Sequence, residues 1–249
     1  MHDLREFSLR DVIECCMAFR QMEKGVHSME EVAQRAMHYF YEQFSGASEG
    51  IKPWALVRLF KTLRFADLEP TLQVIAQQAA GGQALSEDTK CLVLLAMDGE
   101  KEEWQSRHRS RGHKAIPLPS PEIVQAFPMI SSLVRQLGID VRDLLEPKPA
   151  LLLDMAQRSY NVFCVPKAPG SPFIPAQAEF IIPFQIASVL GFGGMLPSGD
   201  LFAMILFAKA PVSQEAAEMF KPLALSLKVA LLSMDETFLE DGGAEHGRP

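Results

Sequence analysis

The side chains that could carry chemistry are few and scattered: four cysteines, six histidines and one short run of cations. Cys15, Cys16, Cys91 and Cys164 form no C-x-x-C pair, so their spacing suggests neither a zinc site nor a disulfide framework, and no metal site is expected. A thiolate nucleophile would need a neighbouring base or cation to lower its pKa. Cys91 opens one apolar run and Cys164 lies inside another, which leaves two readings open: a reactive thiol, or a small buried hydrophobe.

The cations concentrate between Trp104 and Lys114, where Arg107, Arg109, Arg111, His113 and Lys114 surround His108 in a chain of net charge −7. As chemistry, this would be an anion-recognising loop, with guanidinium forks for carboxylate or phosphate and a histidine that titrates near neutrality. As structure, it would be a solvated loop that offsets Glu100, Glu102 and Glu103. Arg58 interrupts an apolar run, and period-two alternation lets it face either a pocket or a wet side of the sheet. His113 could also serve as an axial haem ligand, but no C-x-x-C-H accompanies it, and the sequence specifies no cofactor. Gly191, Gly193 and Gly194 are not a dinucleotide fingerprint, because they enter a hairpin rather than a helix. They read as bulge or close-approach positions.

These residues must be positioned by a mixture of helices and strands. Ser8 can cap a helix whose apolar face is Leu9, Val12, Ile13, Cys16 and Met17, with Gly25 as its stop. Ser28 and Glu31 read as a capping box before a second helix, with Met29, Val32, Ala33, Ala36, Phe40 and Phe44 on one face. Strands are expected at 54–60, 91–96, 160–165, 179–184, 188–196 and 201–209, the last two joined by the turn Pro197-Ser198-Gly199-Asp200. Residues 91–96 read as a central strand, 115–119 as an edge piece limited by its prolines, and 144–145 and 151–153 as short ambiguous pieces. Helices are expected after Pro70, after Ser120 with a break at Pro128, and after Ser213 with an irregularity at Pro222. Prolines at 169, 172 and 175 make that segment a loop, placed as a lid would be. Together this describes an α+β domain with a mostly antiparallel sheet and helices packed on it.

The composition is that of a folded globular chain, with 48% hydrophobic and 22% charged residues. The acidic balance gives no global pull toward nucleic acid. The charged N-terminus lacks a following apolar h-region, and no run reaches the length of a membrane span, so no membrane association and a cytoplasmic location are expected. The expected division is a helical segment over 1–50, a main domain over 51–234 and a disordered acidic tail over 235–249.

The stretches Ser188-Val189-Leu190-Gly191-Phe192-Gly193-Gly194-Met195-Leu196 and Leu201-Phe202-Ala203-Met204-Ile205-Leu206-Phe207, followed by a closing helix, resemble the end of a GAF domain. Tyr160-Asn161-Val162-Phe163, Ile174-Pro175-Ala176-Gln177 and Leu196-Pro197-Ser198-Gly199-Asp200 are similar to GAF-like sensory regions that precede bacterial histidine kinases. The likeness spans Trp54 to Leu232. It implies a six-stranded antiparallel sheet flanked by helices, a small-molecule pocket between sheet and middle region, and dimerisation through terminal helices. The partner it implies is a histidine kinase or a response regulator. The pocket candidates are Phe163, His113, Arg111, Arg58, Phe173 and Cys164. No kinase follows Leu232, so a stand-alone sensor and a piece of a longer chain both remain open. Two other functions stay beside the sensor: a GAF-fold reductase acting through Cys164 or Cys91, and a ligand-free scaffold dimerising through helices 8–24 and 28–44.

Overall fold

The computed structural model describes residues 1–46, 52–147 and 161–234. The leucine run 151–153, Tyr160, most of the expected breaker at 46–50 and the tail after 234 lie outside them. Six strands form one antiparallel sheet: β1 (Trp54–Arg64), β2 (Lys90–Gly99), β3 (Ala115–Leu118), β4 (Asn161–Val165), β5 (Ser188–Met195) and β6 (Leu201–Ala208), in the spatial order β3-β2-β1-β6-β5-β4. The long strands β1 and β2 pair from Leu56–Gly99 to Arg64–Lys90, with one irregularity at Leu59/Phe60. β2 is buried from end to end, as its apolar run foretells, but it lies one place in from the edge rather than at the centre. The edge is β3, where Pro117 can sit because an outermost strand need not donate on both sides.

The hairpin β5–β6 follows from turn chemistry. Gly199 takes a φ of +81°, and Leu196 and Asp200 close the turn with a 2.7 Å backbone bond. Gly191 and Gly193 are close-approach positions, not bulges, because the β5–β6 ladder runs without a register shift. A Cβ at Gly193 would lie 2.2 Å from the Phe202 carbonyl oxygen.

Both faces of the sheet are covered. On one face lie α1 (Leu9–Phe19), α2 (Met29–Gln43) and a C-terminal helix, which share a core with Trp54, Val57, Leu59, Phe192, Phe202 and Met204. Ser8 and Asp11 complete a capping box on α1, and Ser28 caps α2 by accepting from the Glu31 backbone N–H. The expected face of α2 is buried as a set, with Phe40 stacked on Phe44 at 5.0 Å and 5.8 Å from Phe192. α1 corrects its expected face. Val12, Cys15 and Phe19 turn inward, while Leu9, Ile13 and Met17 are 65%, 53% and 62% exposed. Their i, i+4 spacing makes one stripe, but it is the outer one.

α3 (Pro70–Ala79) packs over the β2–β3 end, and the other face of the sheet is covered by α4 (Pro121–Ala126), α5 (Pro128–Gln136) and α6 (Val141–Leu145). Pro128 restarts the helix as expected, and Gly138 at a φ of +75° ends it. The chain closes with α7 (Gln214–Glu218) and α8 (Lys221–Leu232), divided just before Pro222. The expected strand at 179–184 is absent. Residues 177–181 form a π-helical turn instead, because the Gln177 side chain donates to the carbonyls of Ala168 and Ile174 and curls the segment over the sheet. The sheet still has six strands, since β3 takes the place of that segment.

Candidate ligand cavity

On the face of the sheet opposite α1 and α2, side-chain packing leaves a cavity of ≈ 390 Å³. Alternation along β1 sends Leu56, Arg58 and Phe60 toward it, and Ile205 and Phe207 of β6 complete the floor. α5 covers it with Met129, Ile130 and Leu133, and the Pro-rich loop contributes Ile174, Pro175 and Ala176. An aromatic wall closes one side. Phe180 of the π-helical turn meets Phe207 edge-on at 4.8 Å and Trp104 at 5.7 Å, so a bulky apolar body would find rings on that flank.

Two polar groups enter this apolar space. Arg58 lies between Met97 and Ile205 in the ladder, and its Nε is enclosed without a hydrogen-bond partner. No hydrogen bond or ion pair reaches its guanidinium from any described residue, and no carboxylate is among the cavity's described lining. Burial alone pushes its pKa down to about 10. His113 stands at the mouth with a left-handed φ of +61°, uncommon for a residue with a side chain. It keeps substantial exposure, yet desolvation, and then the Arg58 charge, hold its pKa below the ordinary imidazole value.

The other candidates are placed elsewhere. Phe163 is fully buried on the same face of the sheet, packed beside Gly191, without lining the cavity. Phe173 is on the Pro-rich loop next to the lining residue Ile174, but faces outward. Cys164 points to the opposite face, and burial raises its pKa to about 11. Cys91 packs under α3, with its pKa raised to about 12 by the same cause. Arg111 is at the surface, 3.2 Å from Glu103.

The rest of the basic loop behaves as the structural reading of its charges expects. Arg109 pairs with Glu102 at 2.9 Å, and His108 reaches Glu30 at 2.9 Å. Arg107 Nε lies 2.6 Å from Glu30 Oε1, off the line of a hydrogen bond, so this buried contact is an ion pair without full directional pairing. The loop therefore fastens to α2 and leaves only His113 turned inward. A larger trough of ≈ 730 Å³ runs along α1 and α2, but Arg35 on its wall already donates to the carbonyls of Met22 and Lys24. Sequence reasoning missed Trp104, Phe180 and the α5 residues as lining. Trp104 inside a polar stretch was the one signal that pointed to them.

No protein-family model matches the chain, and no curated protein matches it. Among solved structures, an N-acylhomoserine-lactone-dependent LuxR-family transcription factor from Burkholderia cenocepacia is similar at TM-score 0.41 and 10% identity, over 90% of this chain and 94% of that one. The chromophore-binding domain of an unusual bacteriophytochrome from R. palustris is similar at TM-score 0.43 and 11% identity, over 91% of this chain and 63% of that one. At such scores, function has to be argued from the cavity itself.

Proposed function

We propose that this chain is a GAF-like sensory domain that binds a small molecule in the cavity between β1, β6 and α5. The observation that carries the reading is the cavity: ≈ 390 Å³ of partly open, aromatic-walled space, within the usual size range of ligand sites. Occupancy is passed to a partner histidine kinase or response regulator through α1 and α8. The coupling has a short path, because β1 presents Arg58 to the cavity while the adjacent Val57 and Leu59 pack into the core shared with α1, α2 and α8. The protein works as a homodimer in the cytoplasm. The outward stripe of Leu9, Ile13 and Met17, together with exposed Leu225 and Val229 on the adjoining α8, supports a helical interface. Among the described residues no helix is long and apolar enough to cross a membrane.

A thiol-dependent reductase on Cys91 or Cys164 has weaker support, because a nucleophilic thiol needs a lowered pKa and both are raised by burial. The test of the sensor reading is mass spectrometry of the extracted protein for a co-purified small molecule, together with thermal-shift screening of a metabolite library. Ligand-induced stabilisation is expected, and it should vanish in Leu133→Trp, which fills the cavity. No extracted molecule and no shift with any library member would end the reading.

A further inference from the structure

The cavity's charge is unusual for its lining. A guanidinium drawn out of water to serve the fold is normally paired, since an unpaired charge in an apolar setting is costly. Arg58 is half-buried and meets none of that need from the described chain: its Nε is enclosed and unbonded, and its ladder neighbours are Met97 and Ile205. No described residue satisfies the fork, so an anion that enters the cavity would be its first charge partner. Guanidinium favours planar carboxylate or phosphate oxygens, which it binds through two parallel N–H donors.

The number of charges then selects between them. Arg58 contributes one positive charge, and His113 at the mouth contributes a neutral ring that can donate or accept a single hydrogen bond. A phosphate monoester would bring close to two negative charges into a space with one counter-charge and walls of Phe180, Phe207, Ile130 and Leu133. A carboxylate brings one. We infer that the ligand is an amphipathic monocarboxylate, its acid group held by Arg58 and its apolar body lying between α5 and the Trp104–Phe180–Phe207 wall. This rests on the ligand-binding reading above and narrows it to a chemical class.

The test is calorimetry of protein freed of co-purified ligand, using matched pairs that differ only in the head group: decanoate against decanol, and 2-naphthoate against 2-naphthol, with decyl phosphate as a further arm. In at least one pair the acid should bind about 10- to 100-fold tighter than the alcohol, and Arg58→Met should erase that preference while leaving alcohol binding in place. Ligand-free Arg58→Met should also melt above the wild type, because it removes an unpaired, half-buried charge from an apolar lining. Equal binding of acid and alcohol, tighter binding of decyl phosphate than of decanoate, or an Arg58→Met protein that melts lower or does not fold would each overturn the inference. If no pair binds but extraction yields a small molecule that is not a carboxylic acid, this class falls and ligand sensing stands. If nothing binds and nothing is extracted, both fall.

Discussion

Lys90 Nζ meets Asp200 Oδ1 at 2.6 Å in the interior, across the intervening strand β1. Thr62 of β1 completes the junction, donating to Asp200 at 3.4 Å while accepting from the Leu201 backbone N–H at 2.9 Å, and Ser198 donates to the second carboxylate oxygen. The turn of the β5–β6 hairpin is thereby tied to the start of β2. Removing one partner strands the other charge, so Asp200→Ala should destabilise by about 3 kcal/mol or more. The double variant Lys90→Met/Asp200→Leu should lose clearly less. Urea denaturation of the three proteins checks this, and equal losses in the single and double variants would show that the pair is not what matters.

At Gly193 the argument is steric. The missing side chain is what lets β5 approach Phe202, and the obstacle to a Cβ is a backbone oxygen, which cannot swing away as a side-chain end could. Gly193→Ala should therefore destabilise by about 1–3 kcal/mol, against the usual gain of strand propensity over glycine. Gly112→Ala, where a Cβ meets open space, is the control and should be near neutral. A neutral Gly193→Ala would mean the strands can separate without loss.

Three buried thiols should make stability fall in alkali. Desolvation raises Cys15 and Cys91 to about 12 and Cys164 to about 11, from an ordinary value of 9.0. Above pH 9 the unfolded chain releases these protons while the folded chain keeps them. Their contribution is thus intact below pH 9 and is lost as pH rises through 11 and 12, by up to about 1.4 kcal/mol per pH unit for each thiol. Chemical denaturation between pH 8 and 10.5 should show a steeper decline in the wild type than in Cys91→Ala/Cys164→Ala. The same burial predicts that Ellman's reagent at pH 8 labels these thiols only after unfolding. Rapid labelling of Cys91 or Cys164 in the folded protein would reopen the reductase reading.

What the sequence discloses depends on whether a residue's partner is near it in the chain. The β5–β6 turn, the break at Pro128 and the edge position of Pro117 are local effects of φ restriction and missing donors, and all three are legible. Residues 179–184 are as apolar as a strand, but only Ile181 is fully buried. Their shape comes from Gln177 bonding back to Ala168, which no periodicity encodes. Arg58 is an intermediate case. Alternation narrows it to two directions, and the choice depends on helices later in the chain, since both faces of the sheet turn out to be covered. The stripe on α1 misleads for a related reason: an apolar face signals burial, and nothing in one sequence says whether the chain itself or a second copy supplies the cover.

That stripe yields the last prediction. Leu9, Ile13 and Met17 follow one another at i, i+4 intervals, and Cys16 Sγ lies 4.0 Å from the Pro222 carbonyl oxygen, so the exposed residues of α1 adjoin those of α8. Two such helix pairs brought together would bury apolar surface from both copies, at roughly 25 cal/mol per Å². Ile13→Glu places a charge at the middle of the stripe, and because Ile13 makes no part of the chain's own core it should spare the fold. Sedimentation across a concentration series should give a dimer for the wild type and a monomer for Ile13→Glu, with Leu225→Glu behaving alike and circular dichroism unchanged in both. A monomeric wild type, or an Ile13→Glu dimer as tight as the parent, would place the interface elsewhere and remove α1 and α8 as the route by which ligand occupancy reaches a partner.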